Sequence, residues 1–143
     1  MKRSEALRSL SRDHHKALSV AQKMRRADDG PEAAALFHVY WEQHGKVHFR
    51  IEEEVLLPSW AHLGNVNRAA ASRLAQEHLE IRVAALELAQ QPELELVRDL
   101  GQRLAEHVRF EERELFGLIE DDLAPPELER LARAVAEAEN QSS

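Results

Sequence analysis

Two residue pairs have a spacing suited to holding a cation. His48 and Glu52 lie four apart in HFRIEEEVLLP, and His107 and Glu111 lie four apart in HVRFEERELF. On a helix, residues four apart are neighbours on one face, so an imidazole nitrogen and a carboxylate oxygen sit side by side. Both pairs fall in rows where a helix should bury Leu or Val. A buried carboxylate without a partner costs several kcal/mol, and a buried imidazole needs hydrogen bonds. No Lys or Arg shares those rows to neutralise the charge. Bound cations would do so, and mixed nitrogen and oxygen donors without sulfur suit iron or manganese, with zinc the other candidate.

Long rods must position these pairs. The breaks in the chain are DDGP (28–31), GNVN (64–67), QQP (90–92) and DDLAPP (121–126). Between them run Ala-, Leu-, Glu- and Arg-rich segments of good helix formers. The pattern predicts helices over roughly 4–27, 31–57, 67–90 and 93–120, and a short fifth over roughly 126–138. Pro31 and Pro126 suit first turns, and Pro58 should end or kink the second helix, leaving SWAHL as an irregular or short helical continuation. No segment alternates with period two, so strands have no support. Short loops make neighbouring rods antiparallel. The expected fold is all-α, an up-down-up-down four-helix bundle over about 4–122 with a C-terminal appendix, forming one domain over 1–143.

The inner stripes carry the remaining polar candidates. Helix 1 gives Leu7, Leu10, His14, Ala17, Ala21 and Met24. Helix 2 gives Phe37, Trp41, His44, His48, Glu52 and Val55. Helix 3 gives Ala71, Leu74, His78, Ile81, Ala85 and Leu88, and helix 4 gives Val97, Leu100, Leu104, His107, Glu111, Leu115 and Leu118. Counting from each loop places His14, His48, His78 and His107 within ~6 Å of one depth along the bundle. A lone core His is usually just packed and hydrogen-bonded. Four at one level with two Glu are read as a metal site. His44 and His15 are additional candidates, His15 being the alternative to His14 on a wetter row. His38 and His62 are read as surface or structural, Glu53 and Glu54 as a solvated face. Asp13, Glu77 and Glu106 are read as surface or ion-pair residues, and Trp41, Phe49, Phe110 and Phe116 as packing.

The chain resembles the hemerythrin-like (HHE cation-binding) domains. The matching pieces are RDHHKAL, HFRIEEEVLLP, QEHLEIR and EHVRFEERELF, one per helix, over roughly 4–122. The resemblance implies a non-haem centre of two iron ions. His14, His48, His78 and His107 would be its terminal ligands, with Glu52 and Glu111 bridging. The oxygen-carrying hemerythrins have a further His one turn after the helix 3 ligand. Arg82 stands there, which leaves room for an exogenous ligand such as O₂, NO or peroxide.

Composition narrows the rest. Without Cys, disulfides, iron–sulfur clusters and thiolate zinc sites are excluded. The net charge of −7 comes with no basic patch, so no nucleic acid is expected. No signal peptide and no apolar run near ~20 residues is seen, so no membrane is expected and a cytoplasmic location is. Sensing, scavenging or iron handling through a small ligand is the first functional reading. Outside the ligand set no residue looks like a dedicated acid–base catalyst, so catalysis would be limited to modest oxidase or peroxidase activity. The other reading is a regulatory module held together by metal, with a protein partner or homodimer contacting helix 5 or a bundle face.

Overall fold

The computed structural model describes residues 3–142. Five helices follow in chain order: α1 (Glu5–Arg25), α2 (30–63), α3 (Arg68–Gln90), α4 (94–122) and α5 (Pro125–Ser142). No strand occurs among the described residues. The first four form the expected bundle, with α1 packed most extensively along α4. Asp29 caps α2 by accepting from the Glu32 N–H at 3.0 Å, and Asn67 caps α3 by accepting from the Ala70 N–H at 2.9 Å. Gly101 allows α1 and α4 to approach, since a Cβ there would lie 2.8 Å from the Met24 Cβ.

Three π-helical turns interrupt the rods: Trp41–Gly45 and Glu52–Leu56 in α2, and Glu111–Leu115 in α4. In each, an N–H reaches back five residues: Lys46 to Trp41, Leu57 to Glu52, and Phe116 to Glu111. Each turn inserts one residue and rotates the helix beyond it. Pro58 does not end α2, and of the two expectations for SWAHL the short helical continuation holds. The widened turn ahead of Pro58 accommodates the ring, and helix continues through SWAHL to Leu63. The rotation also changes the inner row of α2, which buries Gly45, Leu56 and Trp60 where His44 and Val55 were predicted.

The apolar core is split in two. One half gathers Met24, Phe37, Trp41, Leu88 and Leu100, and the other Leu10, Leu56, Trp60, Leu74 and Phe116. The appendix extends four residues further than predicted and lies in the α1–α2 seam, burying Leu131 and Val135 beside Ala6 and Ile51. Trp60 Nε1 and the Asn65 N–H both donate to Asp122 Oδ2 at 2.8 Å, which ties the α2–α3 connection to the end of α4.

Candidate metal centre

A polar layer lies between the two apolar halves. The buried polar and charged residues are His14, His48, Glu52, His78, His107 and Glu111, with both carboxylates fully excluded from solvent. Each helix of the bundle supplies one imidazole, and α2 and α4 add the carboxylates one turn further on. Four ligand atoms from His14, His48, Glu52 and Glu111 lie within 4.8 Å of one another, and so do four from Glu52, His78, His107 and Glu111. Glu52 and Glu111 belong to both groups. Glu111 turns Oε1 to His14 Nε2 at 2.8 Å and Oε2 to His107 Nε2 at 2.6 Å. Glu52 turns Oε2 to His48 Nε2 and Oε1 to His78 Nε2, each at 3.1 Å. Each carboxylate thus offers one oxygen to each pair of imidazoles, as a bridge between two cations requires.

The outer nitrogens explain why Nε2 points inward. His48 Nδ1 lies 3.1 Å from Asp13, His78 Nδ1 2.6 Å from Glu53, His107 Nδ1 2.8 Å from Glu77 and His14 Nδ1 2.6 Å from Glu112. An ionised carboxylate only accepts, so each Nδ1–H donates and each Nε2 faces the interior, able to ligate once it gives up its proton. The pairs run around the bundle: α1 to α2, α2 to α3, α3 to α4, and α4 back to α1. Arg82 Nη2 donates to Glu53 at 3.0 Å, and Arg73 Nε to Glu77 at 2.8 Å. Arg3 Nη2 donates to the Glu112 backbone carbonyl at 2.6 Å and lies 3.8 Å from its carboxylate. Asp13 and Glu77 are thus interhelix ion-pair residues, Asp13 at an exposed position, and Glu53, expected on a solvated face, is half-buried against His78. Glu112 was not singled out from sequence at all. Because these outer carboxylates fix ring orientation, Glu77→Ala should weaken cation loading by about 10–100-fold. Titration with a coloured competing chelator measures this, and unchanged affinity would remove the role.

The electrostatics follow from burial and crowding. Burial alone would lower His14, but Glu111 and Glu112 outweigh it and hold it up at about 9. His78 is likewise held at about 10 by Glu111, Glu52 and Glu53 against burial. His48 and His107 are raised for the same reason, against burial, chiefly by Glu52 and Glu111 respectively. Burial opposes ionisation of Glu111, yet the His107 charge and neighbouring donors hold it well below the usual carboxylate range. Left to itself, the cluster binds protons where it could bind cations. Burial pushes the Tyr40 phenol up to about 12, so it stays protonated.

The further candidates lie outside both groups. His44 and His15 are exposed, and His44 Nε2 meets Lys16 Nζ at 3.1 Å. The π turn after Trp41 brings Gly45 inward and turns His44 out, while His15 sits one residue off the stripe. His62 is exposed and His38 half-buried against Phe37. Glu54 and Glu106 are exposed, bonded to Arg50 and Gln102. Two aromatics wall the centre: Phe49 stacks on His78 at 3.7 Å, and Phe116 on His14 at 5.5 Å. Arg82 does not reach inward, lying instead beside the Trp41 and Phe49 rings at 5.8 Å.

These residues fit a metal. His48 Nε2, both Glu52 oxygens and Glu111 Oε2 are buried without a hydrogen-bond partner. No Lys or Arg forms an ion pair with Glu52 or Glu111 among the described residues. Unpaired donors converging on common points are what a cation would satisfy. Fold and centre define a helical-bundle protein with a buried His/Glu cation site. Residues 5–119 match the hemerythrin HHE cation binding domain, and the chain belongs to that family. No curated protein and no solved structure matches it. No helix among the described residues is long and apolar enough to cross a membrane.

Proposed function

We propose that the chain holds two iron ions and presents them to a small diatomic or peroxidic ligand. His14 and His48 would hold one ion, His78 and His107 the other, with Glu52 and Glu111 bridging. The observation that carries this reading is the pair of buried carboxylates, each divided between two imidazole pairs. Two nitrogens and two oxygens per ion leave an octahedral metal short of ligands, and among the described residues no further His or carboxylate joins either group; Arg82, one turn after His78, cannot ligate a cation and pairs with Glu53. When bound, the iron pair supplies redox capacity and a coordination position for O₂, NO or peroxide. The chain's own residues do the remainder. The Nδ1 carboxylates fix the rings, Phe49 and Phe116 exclude water, and the split apolar core holds the layer at mid-bundle. The physiological role proposed is sensing, scavenging or iron handling in the cytoplasm.

Four donors per ion would also satisfy a tetrahedral zinc. That favours, as a second reading, a metal-stabilised regulatory module. Metal analysis with absorption spectra of freshly purified protein separates the two. The first reading expects about two iron per chain and charge-transfer bands that change on adding O₂, NO or peroxide. Colourless protein carrying stoichiometric zinc, indifferent to all three, would establish the second.

A further inference from the structure

The layer next to the polar centre is filled unevenly. One turn from His78 and His107, toward the apolar half that holds Met24 and Leu100, α3 and α4 present the buried side chains of Ile81 and Leu104. At the equivalent positions beside His14 and His48, α1 and α2 carry Ala17 and Gly45, also buried. The His78/His107 group is therefore roofed by two large aliphatic chains. The His14/His48 group has a methyl and a hydrogen in their place.

Gly45 closes the π turn at Trp41–Gly45, and two rings lie against it. A Cβ there would meet Trp41 Cε3 at 2.5 Å and Tyr40 Cε2 at 3.1 Å. Trp41 leans toward α3, with the Phe49 ring at 5.1 Å and the Arg82 guanidinium at 5.8 Å. Tyr40, the chain's one tyrosine, packs between Phe37 at 6.2 Å and His44 at 6.5 Å. The residue is 7% exposed, yet its hydroxyl has no hydrogen-bond partner among the described residues. Burial holds the phenol protonated, and the charged groups acting on it are His48, Glu52 and Glu111 of the centre and Asp13 of α1. Such effects fade with distance, so the hydroxyl lies near the α1–α2 half of the polar layer. A buried phenol usually finds an acceptor. Phe37, Trp41 and Phe49 fill the same apolar half without a hydroxyl, so packing alone does not call for one here.

We infer that the Tyr40 hydroxyl donates a hydrogen bond to the small ligand, which lodges in the space left by Ala17 and Gly45. This rests on the reading that the centre takes up such a ligand, and it names the residue that selects it. A phenol donor favours ligands whose outer atom carries negative charge, because a hydrogen bond to a charged acceptor is the stronger kind. The donor acts on the ligand alone, so cation loading does not depend on it.

The test compares wild type with Tyr40→Phe, which removes one oxygen, and Ala17→Leu, which fills the space. Each is loaded with ferric iron, assayed for metal and titrated with azide, a small anion that accepts hydrogen bonds. Wild type should bind azide, and the azide stretching band should shift on transfer to D₂O. Tyr40→Phe should keep its iron, bind azide about tenfold more weakly and lose the D₂O shift. Ala17→Leu should keep its iron and also bind azide about tenfold more weakly, or worse. Undiminished azide affinity in either variant overturns the inference and leaves the ligand reading standing. So does a wild-type band indifferent to D₂O, a result that needs no variant. A phenolate-to-iron absorption band in wild type that Tyr40→Phe lacks would make Tyr40 a ligand and overturn its role as donor. Wild type that holds no iron, or holds iron and takes up no azide, overturns both readings.

Discussion

Glu111→Ala is expected to abolish cation loading in both His/Glu groups, not one. Its two oxygens are divided between His14 and His107, so the truncation removes a ligand from each group. Glu52→Ala should do the same through His48 and His78. Affinity should fall by more than the roughly 10–100-fold typical of losing a group that only orients a ligand. His107→Ala touches one group alone and should cost the ion between α3 and α4 first. His62→Ala, at an exposed position, should retain full metal content. Metal analysis of the four purified variants is the check. Equal content in Glu111→Ala and His62→Ala would sink the bridging assignment.

Alkaline pH should weaken the metal-free protein far more than the loaded one. His14 and His78 are held near 9 and 10 when folded, against 6.5 when unfolded. A raised folded value means the folded state binds its protons more tightly. The resulting stability is complete below about pH 6.5 and is lost as pH rises through 9 to 10. A tenfold gain in proton affinity corresponds to about 1.4 kcal/mol, so several kcal/mol are at stake. The midpoint of thermal unfolding should drop by about 10 °C between pH 7 and 10. Glu111 acts at the other end: its lowered value stabilises the fold above about 4.5 and that contribution is lost as acid protonates it. If cations replace these protons, the loaded protein should show a flatter profile, and loading should release protons. Thermal melts of chelator-treated and reconstituted protein across this range test the claim. Parallel profiles would show that the imidazoles are neutral without metal.

The sequence carried the rods and their polar layer because both obey helical periodicity. His14, His78, His107 and Glu111 fall on rows whose other members are apolar, and a three-four step finds them without knowledge of the fold. The outer carboxylates were harder to see. Asp13 and Glu77 each precede a core His by one residue, about 100° around the helix. That offset removes them from their own stripe and aims them at the neighbour's imidazole. Glu53 and Glu112 follow a core Glu in the same manner, so an acid beside His14, Glu52, His78 and Glu111 was the available signal, although His48 has none and Glu106 beside His107 faces solvent. The π turns left no such trace. The residue inserted at Trp41–Gly45 turned His44 outward and brought Gly45 in, a second at Glu52–Leu56 carried helix past Pro58, and local propensity does not report a turn set by packing.

The circuit of Nδ1 carboxylates has a consequence for how change accumulates in this chain. Every rod both gives a carboxylate to one neighbour and takes one from the other, so none can slip or twist by a residue without disturbing two imidazoles. A single-residue deletion in any of the four helices should therefore harm tuning on both sides of it, whereas a change of length in a connection leaves this circuit of carboxylates intact. Drift is steered to the connections, and the rods can change only in concert.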